Sequence, residues 1–186
     1  AFVGVVGNMV LWVNGTDIGE GNKEFIRSTL GDDFDTAWSM AQDLFQNHSE
    51  LLFVPSDVAV EVDGERVAKR IDELPVPHPI YDIGLQTLMK LRPIMMNAGC
   101  VLWNGPASYF EKPAFAFGTI EILNMCTETA AMTIVGGGHT SALVNSRGVG
   151  DKVTHNSTGG GACLQMLCGD KMPVIEALAH SAKKFS

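Results

Sequence analysis

The chain has 186 residues, a formal net charge of −8, 46% hydrophobic residues and 18% charged residues. That length is typical of one domain with a single core, and the composition excludes an intrinsically disordered protein. The acidic balance argues against a general nucleic-acid binder, and the sequence holds no apolar run near the ~20 residues that a membrane span requires.

The first part of the chain is predicted to mix strands and helices. Residues Ala1–Val6 resemble the tail of a buried strand, followed at once by a helical pattern, and with no initiating Met they suggest a sequence that begins inside a fold. Apolar residues at helical spacing predict a helix over residues 34–45. Leu51–Val54 is predicted to be a short buried strand, and Val58–Val67 a hairpin around Asp63–Gly64.

The second part alternates strands and helices in a regular order. Leu85 is predicted to begin a helix that Pro93 kinks or ends. The strands that follow are predicted at Cys100–Trp103, Met132–Val135 and Val153–His155, and the helices at Ala116–Thr129, from Ser141, at Ala162–Leu167 and at Val174–Lys183. This order predicts one α/β domain over residues 1–186, doubly wound and Rossmann-like, with a largely parallel sheet and helices on both faces. Because ligands bind at the carboxyl ends of such strands, the loops after Trp103, Val135 and His155 are the expected binding loops.

Two glycine triplets, Gly136–Gly138 and Gly159–Gly161, each follow a predicted strand and precede a predicted helix. Backbone N–H groups at a helix N-terminus favour an anion, and glycine allows a phosphate to approach closely. One triplet alone is explained as well by a tight turn, but two in consecutive turns favour a phosphate site. Neither triplet matches the P-loop or the G-x-G-x-x-G fingerprint.

Three polar side chains near these loops have open roles. Glu111 follows the turn Trp103–Pro106 and either accepts hydrogen bonds from sugar hydroxyls or is a solvated loop acid. His139 could bind a phosphate, hold a metal or do neither, and His155 is better explained by a structural hydrogen bond. The four cysteines form no C-x-x-C pair, which favours reduced thiols in a cytoplasmic protein over a metal or disulfide role.

Taken in order, the motifs of this chain resemble those of the phosphoglycerate kinases. Each motif is weak alone, but the ordered set is specific and covers essentially the whole chain. The matching segments are P-x-D at Pro55–Asp57, D-I-G at Asp82–Gly84, W-N-G-P at Trp103–Pro106, F-E at Phe110–Glu111, F-A-x-G-T at Phe115–Thr119, G-G-G-x-T at Gly136–Thr140, H-x-S-T-G-G-G-A at His155–Ala162 and G-x-x-x-P-x-x-x-A-L at Gly169–Leu178.

The resemblance implies a glycolytic kinase that transfers a phosphoryl group between 1,3-bisphosphoglycerate and ADP, giving 3-phosphoglycerate and ATP, with Mg²⁺. Such kinases have two α/β lobes, and this chain is similar to the C-terminal, nucleotide-binding lobe. The N-terminal lobe, through which 3-phosphoglycerate would bind, is expected upstream, so the chain alone is expected to be inactive. No nucleic-acid or membrane partner is expected.

The resemblance also assigns residues to the nucleotide. Those expected to bind ADP or ATP are Tyr81, Asn104, Pro106, Tyr109, Glu111, Gly136, His139 and Thr140. Those whose backbone amides are expected to face the transferring phosphate are Gly137, Gly138, Gly159, Gly160 and Gly161. No protein ligand for Mg²⁺ is predicted, because His139 stands where many members have a metal-binding Asp and Mg²⁺ prefers oxygen. That histidine resembles the archaeal branch of the family.

Other departures from the family pattern leave an alternative open. Leu85 stands where a Pro is usual, and Ala107–Tyr109 replaces Met-Gly-Val. These changes motivate a second hypothesis, a non-catalytic nucleotide-binding or interaction module derived from the lobe. A dinucleotide oxidoreductase is a weaker third hypothesis, since the sequence has no first G-x-G-x-x-G.

Overall fold

The computed structural model describes residues 1–159 and 161–185, and the chain divides into two units. The first unit comprises Ala1–Ala98 and Pro106–Ala131, and the second comprises Gly99–Gly105 and the residues from Met132 onward. The predicted α/β class with a parallel sheet and flanking helices is confirmed. None of the described helices is long and apolar enough to cross a bilayer.

The first unit holds five helices and an antiparallel sheet. The helices are α1 (Gly4–Val13), α2 (Glu20–Leu30), α3 (Phe34–His48), α4 (Leu85–Met96) and α5 (Phe117–Glu128). The strands are β1 (Asp57–Val62), β2 (Glu65–Arg70) and β3 (Ile80–Ile83), in the order β2-β1-β3. The predicted hairpin is confirmed, because Val62 pairs with Glu65 across a turn in which Asp63 and Gly64 have φ of 51° and 86°.

The core of the first unit forms where β1 meets the first three helices. Val58 and Val60 alternate inward from β1 and pack in one cluster with Val10, Ile18 and Ile26. All five are almost completely buried. This packing holds α2 in place although its sequence is mostly polar, which is why local periodicity did not predict that helix.

Two predicted strands near the start of the chain are wrong. Residues from Gly4 onward are helical, Leu51 ends a 3-10 turn, and residues 52–54 belong to no strand. A single backbone hydrogen bond from the Phe2 N–H to the Phe53 carbonyl, at 3.0 Å, joins the two segments. The helical pattern that the sequence predicts after Val6 is confirmed, and α1 buries Met9, Val10 and Leu11 against the core.

Pro93 does not end α4, which was one of the two outcomes that the sequence predicts for it. The helix continues to Met96, and the Pro93 carbonyl accepts hydrogen bonds from the Asn97 backbone N–H at 3.1 Å and from its side chain at 2.8 Å. Since proline lies one turn from the helix end, it removes only one helical hydrogen bond. The buried face, Leu88, Leu91 and Met95, continues on both sides of it.

Two acids of the first unit, Asp57 and Asp82, are buried and hydrogen-bonded. The Asp57 carboxylate accepts hydrogen bonds from the N–H groups of Gln86, at 2.9 Å, and Thr87, at 2.7 Å, and so caps the N-terminus of α4. The Asp82 carboxylate accepts from the Gly118 N–H at 3.1 Å and from Arg66 at 3.2 Å. Burial raises the pKa of Asp82 to about 6, against the opposing effect of these two donors.

The second unit contains the parallel sheet that the sequence predicts. Its strands are β4 (Cys100–Asn104), β5 (Met132–Gly136) and β6 (His155–Asn156), in the order β4-β5-β6. The helices are α6 (Gly138–Ser146), which packs against β5, α7 (Gly161–Leu167) and α8 (Pro173–Phe185). Thr133 and Thr154 exchange backbone N–H to hydroxyl hydrogen bonds of 3.0 Å, which tie β5 to the segment before β6.

The cysteines differ in their surroundings. Cys126 is buried in α5, and burial raises the pKa of its thiol to about 12. Cys100 and Cys168 are exposed, and Cys163 is half-buried. All four are free thiols.

Candidate functional site

The strands of the second unit end at one edge, as the sequence predicts. In the parallel register, Asn104 at the end of β4 lies opposite Gly136 at the end of β5. Beyond β6, the Ser157 N–H donates to the Val135 carbonyl at 2.7 Å, so the next loop leaves from the same edge. The structure therefore brings Asn104 and the first glycine triplet together at the carboxyl end of this sheet.

The three glycines of the first triplet have different reasons to be glycine. A Cβ on Gly136 would lie 3.0 Å from the Asn104 Oδ1 atom, which makes this position crowded. Gly137 has φ of 92°, and a Cβ there would lie 3.1 Å from the Thr140 Oγ1 atom. Gly138 begins α6 and is exposed, and no described atom lies within 4 Å of where its Cβ would be. Only Gly138 therefore leaves its space open to a ligand.

Two polar residues follow the triplet in the first turn of α6. Thr140 is fully buried, and its hydroxyl donates to the carbonyls of Gly136 and Gly137. It thus holds the turn from the inside. His139 is exposed, on the same turn as Gly138.

The second triplet lies between β6 and α7. The Gly159 N–H donates to the Ser157 hydroxyl at 3.3 Å, and Gly161 begins α7 with open space at its Cβ position among the described atoms. Gly160 lies outside the described residues. The Asn156 side chain donates to the Asn145 Oδ1 at 3.1 Å, which ties the end of β6 to α6.

The first unit holds the four remaining predicted residues, Tyr81, Pro106, Tyr109 and Glu111. The rings of Tyr81 and Tyr109 meet edge to face with centroids 5.2 Å apart, and Tyr81 meets Phe115 in the same way at 5.2 Å. The Tyr109 N–H donates to the Tyr81 carbonyl at 2.7 Å, which fixes this part of the loop to β3. Glu111 is exposed.

Three residues near these four were not predicted as site components. Gly4 has φ of 62°, and a Cβ there would lie 2.7 Å from the Pro106 carbonyl oxygen, so the start of α1 lies against the loop. Ser108 is buried, and its hydroxyl lies 2.6 Å from that of Thr119. Lys112 contacts both Glu61 and the Tyr81 ring. Lys112 could have been considered from the sequence, because it directly follows the predicted Glu111. Gly4 and Ser108 could not, because their roles depend on contacts with distant segments of the chain.

No cluster of three or more His, Cys, Asp or Glu side chains that could hold a metal ion occurs in residues 1–159 and 161–185. His139, exposed on the first turn of α6, offers an imidazole, which is a poor ligand for Mg²⁺.

A parallel sheet with a glycine turn and a helix N-terminus at its carboxyl edge defines an α/β protein of the Rossmann-like class. Comparison with known proteins gives the family. The family model described as "Phosphoglycerate kinase" matches residues 1–170, and the chain belongs to that family.

Relatives and solved structures agree with the assignment. The chain is 38% identical to a phosphoglycerate kinase of Methanopyrus kandleri over 94% of its length, and 37% identical to that of Methanocorpusculum labreanum over 100%. It is similar to the crystal structure of the Pyrococcus horikoshii enzyme, with a TM-score of 0.88 and 33% identity over 98% of the chain. For the Coxiella burnetii enzyme the TM-score is 0.75, with 31% identity over 98%. The predicted likeness to the archaeal branch is confirmed.

The chain spans less than half the length of the proteins it matches. It covers 42% and 45% of the two archaeal relatives, and 45% and 46% of the two chains of known structure.

Proposed function

We propose that this chain is the ADP- and ATP-binding, C-terminal lobe of a phosphoglycerate kinase. In the whole enzyme it would present Mg²⁺-bound nucleotide for phosphoryl transfer to and from 3-phosphoglycerate, which binds through the N-terminal lobe. The observation that carries the proposal is the open, exposed Gly138 at the start of α6, on the carboxyl edge of the parallel sheet.

The first turn of α6 supplies the chemistry that a phosphate needs. The first N–H groups of a helix have no helical partner, and the helix dipole adds partial positive charge there. A phosphate seated against Gly137 and Gly138 would be stabilised by donors already in place, which is the main requirement for phosphoryl transfer. Thr140 acts on this site indirectly, because its buried hydroxyl holds the carbonyls of the turn.

The adenosine end is assigned to residues of the first unit. The exposed Tyr109 ring, set against Tyr81, offers an aromatic surface for a base, and the Glu111 carboxylate offers an acceptor for ribose hydroxyls. Pro106 fixes the loop beside Gly4. Mg²⁺ would be held by the nucleotide phosphates and water, where it neutralises charge between the phosphates.

Titration with Mg-ADP followed by two-dimensional amide NMR tests this proposal. We expect shifts in the amides of residues 104–111, 136–140 and 159–161, and small shifts in α2 and α3. A folded sample without shifts at millimolar Mg-ADP would contradict the proposal. Shifts spread evenly over the chain would argue against a defined site.

The rival function is a non-catalytic module derived from this lobe. Three departures from the family pattern favour it, namely Leu85, Ser108 and His139. Leu85 is exposed at the first position of α4, and Ser108 is buried against Thr119, so the fold accommodates both departures. An assay of the full-length gene product distinguishes the two functions. Formation of ATP from 1,3-bisphosphoglycerate and ADP supports the kinase, and a folded product that forms no ATP supports the non-catalytic module.

Two further properties belong to the same proposal. We expect these 186 residues alone to bind nucleotide without turnover, since the basic glycerate site of the family has no counterpart in the sequence. A cytoplasmic location is in keeping with four free cysteines and a glycolytic family.

A further inference from the structure

Lys112 lies in an ordered contact network beside the proposed ribose-binding Glu111. Its Nζ atom is 2.5 Å from the Glu61 Oε1 atom on β1, and it lies 5.1 Å from the ring centroid of Tyr81 and 6.0 Å from that of Phe115. The ammonium group therefore has an anion and two aromatic faces as partners. Glu61 raises the pKa of Lys112, which keeps the side chain charged.

The Glu61 side chain is only 20% exposed, whereas the Lys112 side chain is 41% exposed. A half-buried carboxylate on a strand needs a cation, since an unpaired buried charge is unfavourable. Lys112 is the cation that meets this need, so the pair links the loop to β1 across 51 residues of sequence.

Glu111 lies between two fixed points of the loop. On one side, the Tyr109 N–H donates to the Tyr81 carbonyl on β3 at 2.7 Å. On the other side, Lys112 is fixed to β1 by its side chain, while its N–H donates to the Tyr109 carbonyl at 3.1 Å and its carbonyl accepts from the Phe115 N–H at 2.9 Å. The backbone of Glu111 therefore has little freedom, although its carboxylate is exposed.

We propose that the Lys112–Glu61 pair is a positioning device for Glu111, which holds that carboxylate ready for the ribose hydroxyls of the nucleotide. The inference rests on the proposed function. An acceptor that is already ordered loses less conformational freedom on binding, so the pair lowers the dissociation constant without touching the ligand.

The test is the dissociation constant of Mg-ADP for the 186-residue chain and its variants, measured by calorimetry. We expect Lys112→Met and Glu61→Gln each to raise it about fivefold, because each breaks the pair. Lys112→Arg, which keeps both the ion pair and the aromatic contact, should stay within about twofold of the unmodified chain. Circular dichroism confirms that each variant is folded.

The matched control is Arg92→Met. It breaks the Arg92–Glu128 pair of the same unit, whose side chains are 47% and 49% exposed, near the C-terminal ends of α4 and α5. We expect this variant to bind Mg-ADP as the unmodified chain does.

Two further measurements separate positioning from direct attraction of phosphate. With 2′,3′-dideoxy-ADP, which lacks the ribose hydroxyls, Lys112→Met should cost nothing. In a Glu111→Gln background, Lys112→Met should add no further loss, because the two residues act through one interaction. Equal loss for both nucleotides, or tighter binding by Glu61→Gln, would mean that Lys112 acts on the phosphates and would overturn the inference.

The remaining outcomes are also decisive. If the unmodified chain binds Mg-ADP and Lys112→Met binds it equally well, the positioning role is wrong while the proposed function stands. If the folded, unmodified chain does not bind Mg-ADP at millimolar concentration, the proposed function fails, and the positioning role fails with it.

Discussion

Gly84 has no room for a Cβ atom, because the carboxylate of Asp57 occupies that position. The two residues belong to separate sequence motifs, P-x-D and D-I-G, and the Gly84 N–H also donates to the Asp57 carbonyl at 2.9 Å. The carboxylate can reach the first turn of α4 only where residue 84 has no side chain. The pairing explains both motifs as one packing contact.

Gly84→Ala should therefore destabilise the chain. We expect the free energy of unfolding to fall by about 2 kcal/mol or more, since a rigid methyl group must displace a buried carboxylate. Urea denaturation measures this. The matched control is Gly21→Ala in α2, where no described atom lies within 4 Å of the new methyl group and alanine should raise stability by about 0.5 kcal/mol. Equal effects of the two changes would contradict the contact.

The carboxyl of Asp82 should make stability depend on pH. Its pKa is raised to about 6 from 3.8, so between these values the folded chain binds the proton more tightly than the unfolded chain. The contribution of the protonated form is complete below pH 3.8 and is lost as the pH rises to about 6, by roughly 3 kcal/mol. Asp82→Asn cannot titrate, so its stability relative to the unmodified chain should rise by about 2 kcal/mol between pH 4 and pH 6.

Urea denaturation at half-unit pH steps gives the two curves for this comparison. Parallel curves for Asp82→Asn and the unmodified chain would contradict the raised pKa. Arg66→Met supplies a second check. Because the guanidinium favours the charged carboxylate, its removal should move the loss of stability to higher pH.

Gly138→Ala should separate ligand binding from folding. A methyl group at Gly138 meets no described atom within 4 Å, and alanine suits the first turn of α6. We expect unchanged or slightly higher stability, but a dissociation constant for Mg-ADP raised about tenfold, because the methyl group occupies the place of a phosphate. Calorimetric titration measures it.

Two other glycines serve as controls for that prediction. Gly150→Ala, also in open space in the second unit, should change neither quantity. Gly137→Ala should destabilise, given its φ of 92° and the nearby Thr140 hydroxyl. If Gly138→Ala binds Mg-ADP normally, the phosphate lies elsewhere.

Ser108→Gly should change stability but not nucleotide binding. The change restores the usual family residue and removes a buried hydroxyl that lies 2.6 Å from that of Thr119. We expect the free energy of unfolding to fall by about 1 to 2 kcal/mol, with the dissociation constant of Mg-ADP unchanged within about twofold. Ser108→Ala isolates the hydroxyl from the added freedom of glycine. A large change in affinity would place Ser108 at the nucleotide.

Local sequence was a good guide where one segment determines its own structure. The parallel strands, the hairpin at Asp63–Gly64 and the glycine turn before α6 follow from alternation, turn residues and order along the chain. It failed for Ala1–Val6, because an apolar run fits either a buried strand or a buried helix. It also missed α2, whose single fully buried apolar side chain, Ile26, is defined only by packing against other elements.

Part of the candidate site could likewise be predicted from local sequence, and part depends on tertiary contacts. The glycines could be predicted because the order strand, glycines, helix indicates an anion-binding turn within one segment. The burial of Thr140 could not, because it depends on how its hydroxyl turns toward the triplet. The Lys112–Glu61 contact joins residues 51 positions apart, so no window of sequence contains it. Pairings of this kind need the folded chain.

The alkylation rate of the buried Cys126 thiol can measure how often the core of the first unit opens. With a pKa of about 12, only about one part in 10⁵ is thiolate at pH 7, and the surrounding α5 core excludes reagents. Alkylation at that position thus proceeds through transient opening of the structure, and its rate reports how often the core opens. The exposed Cys100 and Cys168 react without such opening, so their alkylation rates are the reference against which the rate at Cys126 is compared.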